Sequence, residues 1–542
     1  MRPGSTSEHR HWSRGQTEAS PLLVGAALVL ASAFAVPFGY LVWRNLSAPR
    51  EFLEVLTSIY TWRPVGRSVL LAAVVTTLCV GIGVSMAWLT MRTDMPLARL
   101  FRVIVPLPLV LPSFVAGAAL VAAFAPGGLL EEIAGPLGVD RVPEIRGFWG
   151  SVLALTVISY PYVFLPVAAR LNQLSRSLEE AAQMLGESEW SRFRRIVWPQ
   201  IFSSVRAGAL LVLLYVLSDF GVVALMGYTT VTVRMFNSWL ANPELAFALG
   251  LVLASVALVV VAGERMSSRS APGGDPSTSI PPRHQELGRL RIPAVLVAGT
   301  VVFVSIVGPI SVLAWWVWRG AVNKSAGFAG GDGLGGLWQP AWHTLSVGLI
   351  TAVVAVLVVL PLARLAGRHR SRSSLPALTF VVSGFALPGV VVALSVVFLS
   401  LRVGWLNRFY QSLPLLVFAY VVHFGAQAFR TAEVGMATAD RRLDEAAKTL
   451  GASTARRFFK IELPLMSPVL SAGGGLVMLS TMKELPATLL ASPLGFDTLA
   501  TRVWNATADG FLADAALASL LLLAMSAVMT WLLVIRRADH LA

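Results

Sequence analysis

Apolar and polar stretches alternate along the whole sequence. Apolar runs of about 20 residues, the length that a helix needs to cross roughly 30 Å of hydrocarbon, are separated by short polar segments. This pattern predicts an all-α polytopic membrane protein with about 12 transmembrane helices. The predicted spans lie at residues 22–43, 68–91, 101–124, 148–169, 201–226, 243–263, 293–317, 344–366, 376–400, 413–429, 466–490 and 512–535.

Basic residues in the loops predict the orientation of these spans. If the N-terminus is cytoplasmic, the segments that hold the strongest arginine clusters all fall on the same, inner side. An excess of Lys and Arg on the cytoplasmic side is the general rule for membrane proteins. We therefore expect both termini in the cytoplasm. The inner segments are then 92–100, 170–200, 264–292, 364–375, 430–465 and the tail from Arg536.

The spans divide into two halves of six. Each half begins and ends on the cytoplasmic side, so the two halves have parallel orientation, as two like domains have around an axis normal to the membrane. The segment between them is rich in Gly, Pro and Ser and is typical of a disordered linker. The expected organisation is a tail at 1–20, a first domain at 21–263, the linker at 264–292, a second domain at 293–536 and a tail at 537–542.

Composition agrees with a membrane protein and narrows the function. The chain is 56% hydrophobic and 13% charged, with a mean hydropathy of +0.70. The net charge of +14 lies in loops that flank apolar runs, so it predicts membrane orientation and no nucleic-acid partner. Cys79 is the one cysteine, so no disulfide can form within the chain. The run at 22–43 resembles a cleavable signal, but it is long enough to span, and we interpret it as an uncleaved first helix.

A repeated motif occupies the longest cytoplasmic segments. The first copy runs from Leu178 to Gly186 as LEEAAQMLG, and the second runs from Leu443 to Gly451 as LDEAAKTLG. In both copies Leu, Ala, Ala and Leu recur at the spacing of one helical face, which predicts a short amphipathic helix. The paired alanines would let a partner surface approach the backbone closely, and the glycine permits the turn that ends the helix.

Glu180 also fits a purely local role. Ser177 and Glu180 match a capping box, in which the glutamate only satisfies the start of its helix. The second copy has Arg442 at the serine position, so capping does not explain why Glu445 recurs.

The pattern of Glu-Ala-Ala, Gly, Ile and Pro resembles the coupling loop of binding-protein-dependent ABC importer permeases, here present twice at 177–199 and 442–464. The resemblance implies that each loop docks into one of two copies of a cytoplasmic ATPase, which binds ATP and Mg. It also implies a periplasmic or lipid-anchored substrate-binding protein and a bacterial plasma membrane location. The docking positions that it implies are Glu180, Ala181, Ala182 and Gly186, and Glu445, Ala446, Ala447 and Gly451.

Two carboxylates inside the spans are candidate pathway residues. Asp219 and Glu484 occupy equivalent positions after the two loops, and a charge within a membrane is costly enough to suggest function. One hypothesis is that they face each other near the outer gate and attract a cation. The alternative is that Glu484 pairs with Lys483 or is solvated at the interface.

The segment that follows each loop resembles the fused permeases of ferric-iron importers. The second copy runs from Met482 to Arg502, and the first contains Ser218 to Val223. This resemblance implies Fe(III) as cargo. Asp219 and Glu484 are candidates for transient metal ligands, and no metal site is firmly assigned. Fused permeases for thiamine share the layout, so thiamine or another small charged solute is the alternative. The candidate pathway residues are Ser218, Asp219, Phe220, Lys483, Glu484 and Thr488.

Motifs for catalysis are missing from the sequence. It contains no phosphate-binding G-x-x-x-x-G-K-[ST] loop and no Ser/His/Asp or HExxH arrangement. We therefore expect a permease that is not itself an enzyme and binds no cofactor. A self-contained secondary transporter with two six-helix halves is the competing class, but it has no reason to repeat a docking loop.

Overall fold

The helices of a computed structural model reproduce the predicted architecture. The structure describes residues 21–138, 142–174, 180, 182–267, 285–323, 336–368, 387–438 and 441–532. Within them, 11 helices are long and apolar enough to cross a membrane, and Gly389–Arg402 is a shorter apolar helix of 14 residues. These twelve correspond one to one to the predicted spans, although the first part of the ninth lies outside the described residues.

The first half contains thirteen labelled helices, in chain order. They are α1 (Pro21–Ser47), α2 (Pro49–Thr57), α3 (Ile59–Arg92), α4 (Ala98–Ile104), α5 (Ser113–Phe124), α6 (Leu129–Ala134), α7 (Gly147–Ser159), α8 (Pro161–Asn172), α9 (Glu189–Arg192), α10 (Trp198–Ser218), α11 (Gly221–Leu225), α12 (Val231–Ser238) and α13 (Pro243–Ser267).

The second half continues the numbering with α14 to α24. They are α14 (Arg291–Val302), α15 (Gly308–Val322), α16 (Trp338–Arg368), α17 (Gly389–Arg402), α18 (Leu413–Thr438), α19 (Arg441–Thr449), α20 (Thr454–Arg457), α21 (Leu463–Met482), α22 (Pro486–Ala491), α23 (Leu499–Ala508) and α24 (Leu512–Thr530).

Three predicted spans have a break of more than one residue where the sequence predicts one continuous helix. The span at 101–124 divides into α4, a 3-10 turn and α5, because prolines lack the N–H group that a continuous helix uses. The spans at 201–226 and 466–490 end earlier, at Ser218 and Met482. Each is followed by a short helix, so the chain changes direction at the two candidate carboxylates.

Each half has the same core of three helices. In the first half α3, α8 and α10 pack together, and in the second half α16, α18 and α21 do so. Gly208 and Gly473 stand at equivalent positions of α10 and α21. A Cβ on Gly208 would lie 2.7 Å from the Val163 backbone, and one on Gly473 would lie 3.4 Å from the Ala428 Cα. Glycine at both positions lets the helices approach closely, as small residues do in membrane bundles.

The two halves interlock through their first helices. Helix α1 packs against α16 and α17 of the second half, and α15 packs against α5 of the first. The Trp316 indole N–H donates to the Ala122 carbonyl at 2.8 Å, and the Arg319 guanidinium donates to the Gly127 carbonyl. The halves are therefore joined along the apolar helix faces and by polar contacts.

The end of the predicted linker is ordered. The Asp94 N–H group donates to the Gln285 carbonyl, and the Gln285 N–H group donates to the Arg92 carbonyl. The Arg291 guanidinium pairs with the Asp94 carboxylate. These donations from Arg291 and from the Leu287 N–H group hold the pKa of Asp94 below its ordinary value. The expectation of a disordered linker over 264–292 is therefore wrong for residues 285–292, because hydrogen bonds attach them to the loop after α3. Helix α13 also continues to Ser267.

Segments that were predicted to lie on one side of the membrane meet in space. The loop after α3 contacts the linker, both predicted inside. Segments predicted outside meet around a cavity of about 980 Å³, with Arg44, Glu51, Arg234 and Glu244 in its wall. The alternation of loop positions inferred from charge is thus consistent with the packing.

Candidate translocation pathway and coupling loops

Both copies of the repeated motif end in the same turn. The Glu187 N–H group donates to the Ala182 carbonyl at 3.1 Å, and the Ala452 N–H group donates to the Ala447 carbonyl at 3.0 Å. The intervening glycines, Gly186 and Gly451, have φ values of +79° and +78°. This is the glycine-ended cap that satisfies the last carbonyls of a helix. Ala181 lies outside the described residues, and Glu445 is placed in α19.

The exposed side chains of these loops differ from those expected. Leu185 and Leu450 are 83% and 87% exposed, whereas Ala182 and Ala447 are buried. The expectation that the paired alanines share one accessible face is therefore wrong for the second copy, and Leu178 and Ala181 of the first copy lie outside the described residues. The buried alanine of each copy supplies the carbonyl that accepts the hydrogen bond closing the turn. Ala446 is exposed. Large apolar side chains that project into solvent at two equivalent places are typical of an interaction site.

A π-helical turn connects each loop to its membrane helix. Residues Phe193–Val197 and Phe458–Glu462 form these turns at equivalent positions, and a proline follows two residues later, Pro199 in one copy and Pro464 in the other. As predicted, both prolines stand in the first turn of the membrane helix. Proline cannot donate to the carbonyl four residues earlier and clashes with it, and the wider turn relieves this conflict.

The two halves stabilise the π turns differently. In the first half the Trp88 ring packs edge-on against Phe193 at 5.0 Å. In the second half the Arg364 guanidinium lies over Phe458 at 5.0 Å and pairs with the buried Glu462 at 3.5 Å. The first half has Val197 where the second has Glu462, so an apolar contact is replaced by an ionic one.

The two candidate carboxylates cap short helices after the breaks in α10 and α21. Asp219 Oδ2 accepts from the Val222 and Val223 N–H groups at 3.1 and 3.4 Å, and Glu484 Oε1 accepts from the Ala487 N–H group at 3.3 Å. A carboxylate at a helix start is favourable because it satisfies free N–H groups and the helix dipole. Asp219 is buried and Glu484 is half-buried.

Contacts between the halves lie beside both carboxylates. Phe220, next to Asp219, packs against Trp504 of the second half with ring centroids 5.3 Å apart. Lys483, next to Glu484, donates to the Leu109 carbonyl of the first half at 3.2 Å. Each carboxylate therefore stands at a place where the two halves meet.

Lys483 bonds to the opposite half and does not pair with Glu484. Its ammonium group donates to the Leu109 carbonyl at 3.2 Å. Within the described part of the chain, no ion pair joins Lys483 to Glu484. The alternative in which Glu484 is neutralised by its neighbour is therefore not what the geometry shows.

The remaining predicted pathway residues differ in exposure. Ser218 is half-buried, but Phe220 and Thr488 are buried. Phe220 stacks against Trp504 of the second half with ring centroids 5.3 Å apart. Thr488 and the Tyr420 hydroxyl are hydrogen-bonded at 2.5 Å. Phe220 and Thr488 thus hold the site together and do not line an open path.

Sequence reasoning missed several residues of this site. Ser113 and Gly389 follow the repeated Leu-Pro pair, at the first positions of α5 and α17. Tyr162 and Tyr215 stack at 5.5 Å. Their equivalents, Gln427 and Ser480, are hydrogen-bonded at 3.0 Å. The Leu-Pro repeat was a usable signal for Ser113 and Gly389, because the residue after it starts a helix in both halves.

Comparison with known proteins identifies the family. The family described as "Binding-protein-dependent transport system inner membrane component" matches residues 79–269 and 359–538, one segment in each half. An Fe(3+)-transport system permease protein, FbpB 2, of Haemophilus influenzae is 26% identical over 518 residues, which cover 94% of this chain and 96% of that protein.

Other permeases match shorter parts of the chain. A probable molybdenum ABC transporter permease of Haloferax volcanii is 28% identical over 261 residues, covering 46% of this chain and 94% of that protein. A sulfate transport permease, CysT, of Synechococcus elongatus is 37% identical over 119 residues, covering 22% of this chain and 42% of that protein. With two family segments, twelve apolar helices and paired coupling loops, this chain belongs to the binding-protein-dependent inner-membrane transport components as a two-domain ABC importer permease.

Proposed function

We propose that this permease carries ferric iron across the membrane. The observation that supports it is that each half places a carboxylate, Asp219 or Glu484, at a helix break where the two halves meet. Carboxylate oxygens are ligands that a hard cation prefers. The relative that matches over nearly its full length is named for Fe(3+) transport. At least one of these two carboxylates would act as a transient ligand that the cargo passes.

The cytoplasmic partner is an ATPase. Membership of the family implies an ATPase and a substrate-binding protein. We infer that two copies of a separate ATPase bind, one at each coupling loop, and that they hold the ATP and Mg while this chain holds no cofactor. Exposed Met184, Leu185 and Leu450 supply the apolar contacts, and Glu180, Gly186 and Gly451 lie in the same loops.

The outer face receives the binding protein. The chain is a multi-pass inner-membrane protein, and we place both termini in the bacterial cytoplasm. A periplasmic or lipid-anchored binding protein would then dock on the face that carries the cavity of about 980 Å³. Exposed apolar side chains on the membrane helices contact lipid.

Thiamine or another small charged solute is the alternative cargo. Two carboxylates at the site favour a cation, because an oxyanion such as molybdate or sulfate would be repelled by them at close range. The molybdenum and sulfate relatives are therefore weaker guides to cargo than to fold.

Uptake into proteoliposomes tests the proposal. The permease is reconstituted with its ATPase and binding protein, and radioactive Fe(III), thiamine, molybdate and sulfate are supplied separately. We expect ATP-dependent uptake of Fe(III) alone, and loss of about tenfold or more in Asp219→Asn with Glu484→Gln, since a contact to a charged group is worth roughly 1.5–3 kcal/mol.

The matched control is Glu132→Gln with Asp509→Asn, which removes the same charge from exposed positions. This control should transport like the wild type. Uptake of thiamine in place of Fe(III), or uptake without ATP, would overturn the proposal.

A further inference from the structure

At the start of α17 the Glu484 carboxylate stands where a side chain of residue 389 would begin. A Cβ on Gly389 would lie 2.3 Å from Glu484 Oε1 and 3.4 Å from His423 Nε2. The backbone of Gly389 has no positive φ, so a side chain at this position is opposed by these contacts and not by backbone strain. We call the space beside Gly389, bounded by Glu484 and His423, the Gly389 notch. The first half has Ser113 at the equivalent position.

The two carboxylates are held to different degrees. Asp219 Oδ2 accepts from two backbone N–H groups, and Asp219 is 7% exposed. Glu484 receives one N–H group on Oε1, and no donor among the described residues reaches its Oε2. Glu484 is also less buried than Asp219. Asp219 is thus occupied as a cap, while Glu484 keeps free acceptor capacity.

The difference follows from side-chain length. Glutamate has one more methylene group than aspartate, so its carboxylate reaches farther from the helix break. In the second half that carboxylate occupies the notch, where the first half places the serine side chain. A seryl side chain at Gly389 would take the same volume and displace the carboxylate.

We propose that Glu484, held in the Gly389 notch, is the carboxylate that contacts the cargo, and that Asp219 is a positioning residue that caps α11. This inference rests on the proposed pathway and names which half of it binds the metal cation. Gly389 then determines specificity indirectly, because it sets where the carboxylate stands.

Replacing Gly389 and Glu484 of the second half by the equivalent residues of the first half tests this assignment. Gly389→Ser with Glu484→Asp gives the second half the serine and aspartate of the first. We expect this double variant to keep the wild-type thermal midpoint and ATPase activity, because the first half already uses that combination as a cap. Its uptake of radioactive Fe(III) should fall about tenfold or more, the loss of one contact to a charged group. The control is Gly299→Ser, at a helical glycine with open space around it. It should leave the thermal midpoint, the ATPase activity and the Fe(III) uptake unchanged.

Single variants provide the second measurement. Glu484→Gln should lose uptake at normal stability, and Asp219→Asn should lower the thermal midpoint while uptake per folded molecule stays within about threefold. The inference is overturned if the exchanged double variant transports like the wild type, or if both single variants lose uptake equally. If the wild type carries another solute, the proposed cargo fails, and the same comparison made with that solute still tests the assignment.

Discussion

The glycine that ends each coupling helix offers a perturbation whose size follows from geometry. Gly186 and Gly451 have positive φ, and a Cβ on either would meet nothing within 4 Å. Alanine at these positions therefore costs only the backbone strain of the left-handed conformation, about 1–2 kcal/mol per residue. That range corresponds to roughly 5- to 30-fold in the population of the native turn.

We expect Gly186→Ala and Gly451→Ala each to weaken binding of the cognate ATPase by about 5- to 30-fold. Asparagine tolerates this conformation better than alanine, so Gly451→Asn should lose less. Binding is measured between detergent-purified permease and fluorescent ATPase. Uptake by proteoliposomes should fall in the same order.

Gly138→Ala is the matched control. Gly138 has φ +82° with open space around it, and it lies in a segment predicted outside. It should show the same backbone cost with normal ATPase affinity. Equal weakening by Gly138→Ala, or normal binding by both loop variants, would refute the reasoning.

Two further predictions concern polar contacts on the side that is predicted to be cytoplasmic. Because its folded pKa is lowered, Asp94 stabilises the linker contact above its ordinary value of 3.8, and this contribution is lost as pH falls through the lowered pKa. The protection factor of the Leu287 amide, which compares its exchange rate with that of an unprotected amide at the same pH, should therefore fall in acid. Asp94→Asn should lower it already at neutral pH, and a protection factor independent of pH in the wild type would contradict the prediction. Glu462→Ala should lower the free energy of unfolding by about 3 kcal/mol, since it leaves the Arg364 charge without its carboxylate. The double variant Arg364→Trp with Glu462→Val, which introduces the residues of the first half, should recover most of that loss in thermal melts. A double variant no more stable than Glu462→Ala would exclude this account.

Local properties of the sequence determine the membrane helices, the positions of the loops and the coupling loops of this protein. Apolar run length predicts every membrane helix, and arginine placement predicts which loops meet, as the contact between Asp94 and the linker shows. The coupling helices and their terminal glycines follow from residue spacing and from the backbone freedom of glycine. These features could be predicted because each depends on residues within about one helix of each other.

The functional detail of the site was decided by tertiary structure. Asp219 and Glu484 were predictable as a repeated pair, but their different hydrogen bonds were not. The same holds for Gly389, whose role depends on how α17 is rotated against the break after α21. Rotation and depth of packed helices depend on complementary side chains far apart in sequence, and hydropathy does not encode them. The sequence thus specified the helices and their repeat, whereas packing between the halves determined which carboxylate is free.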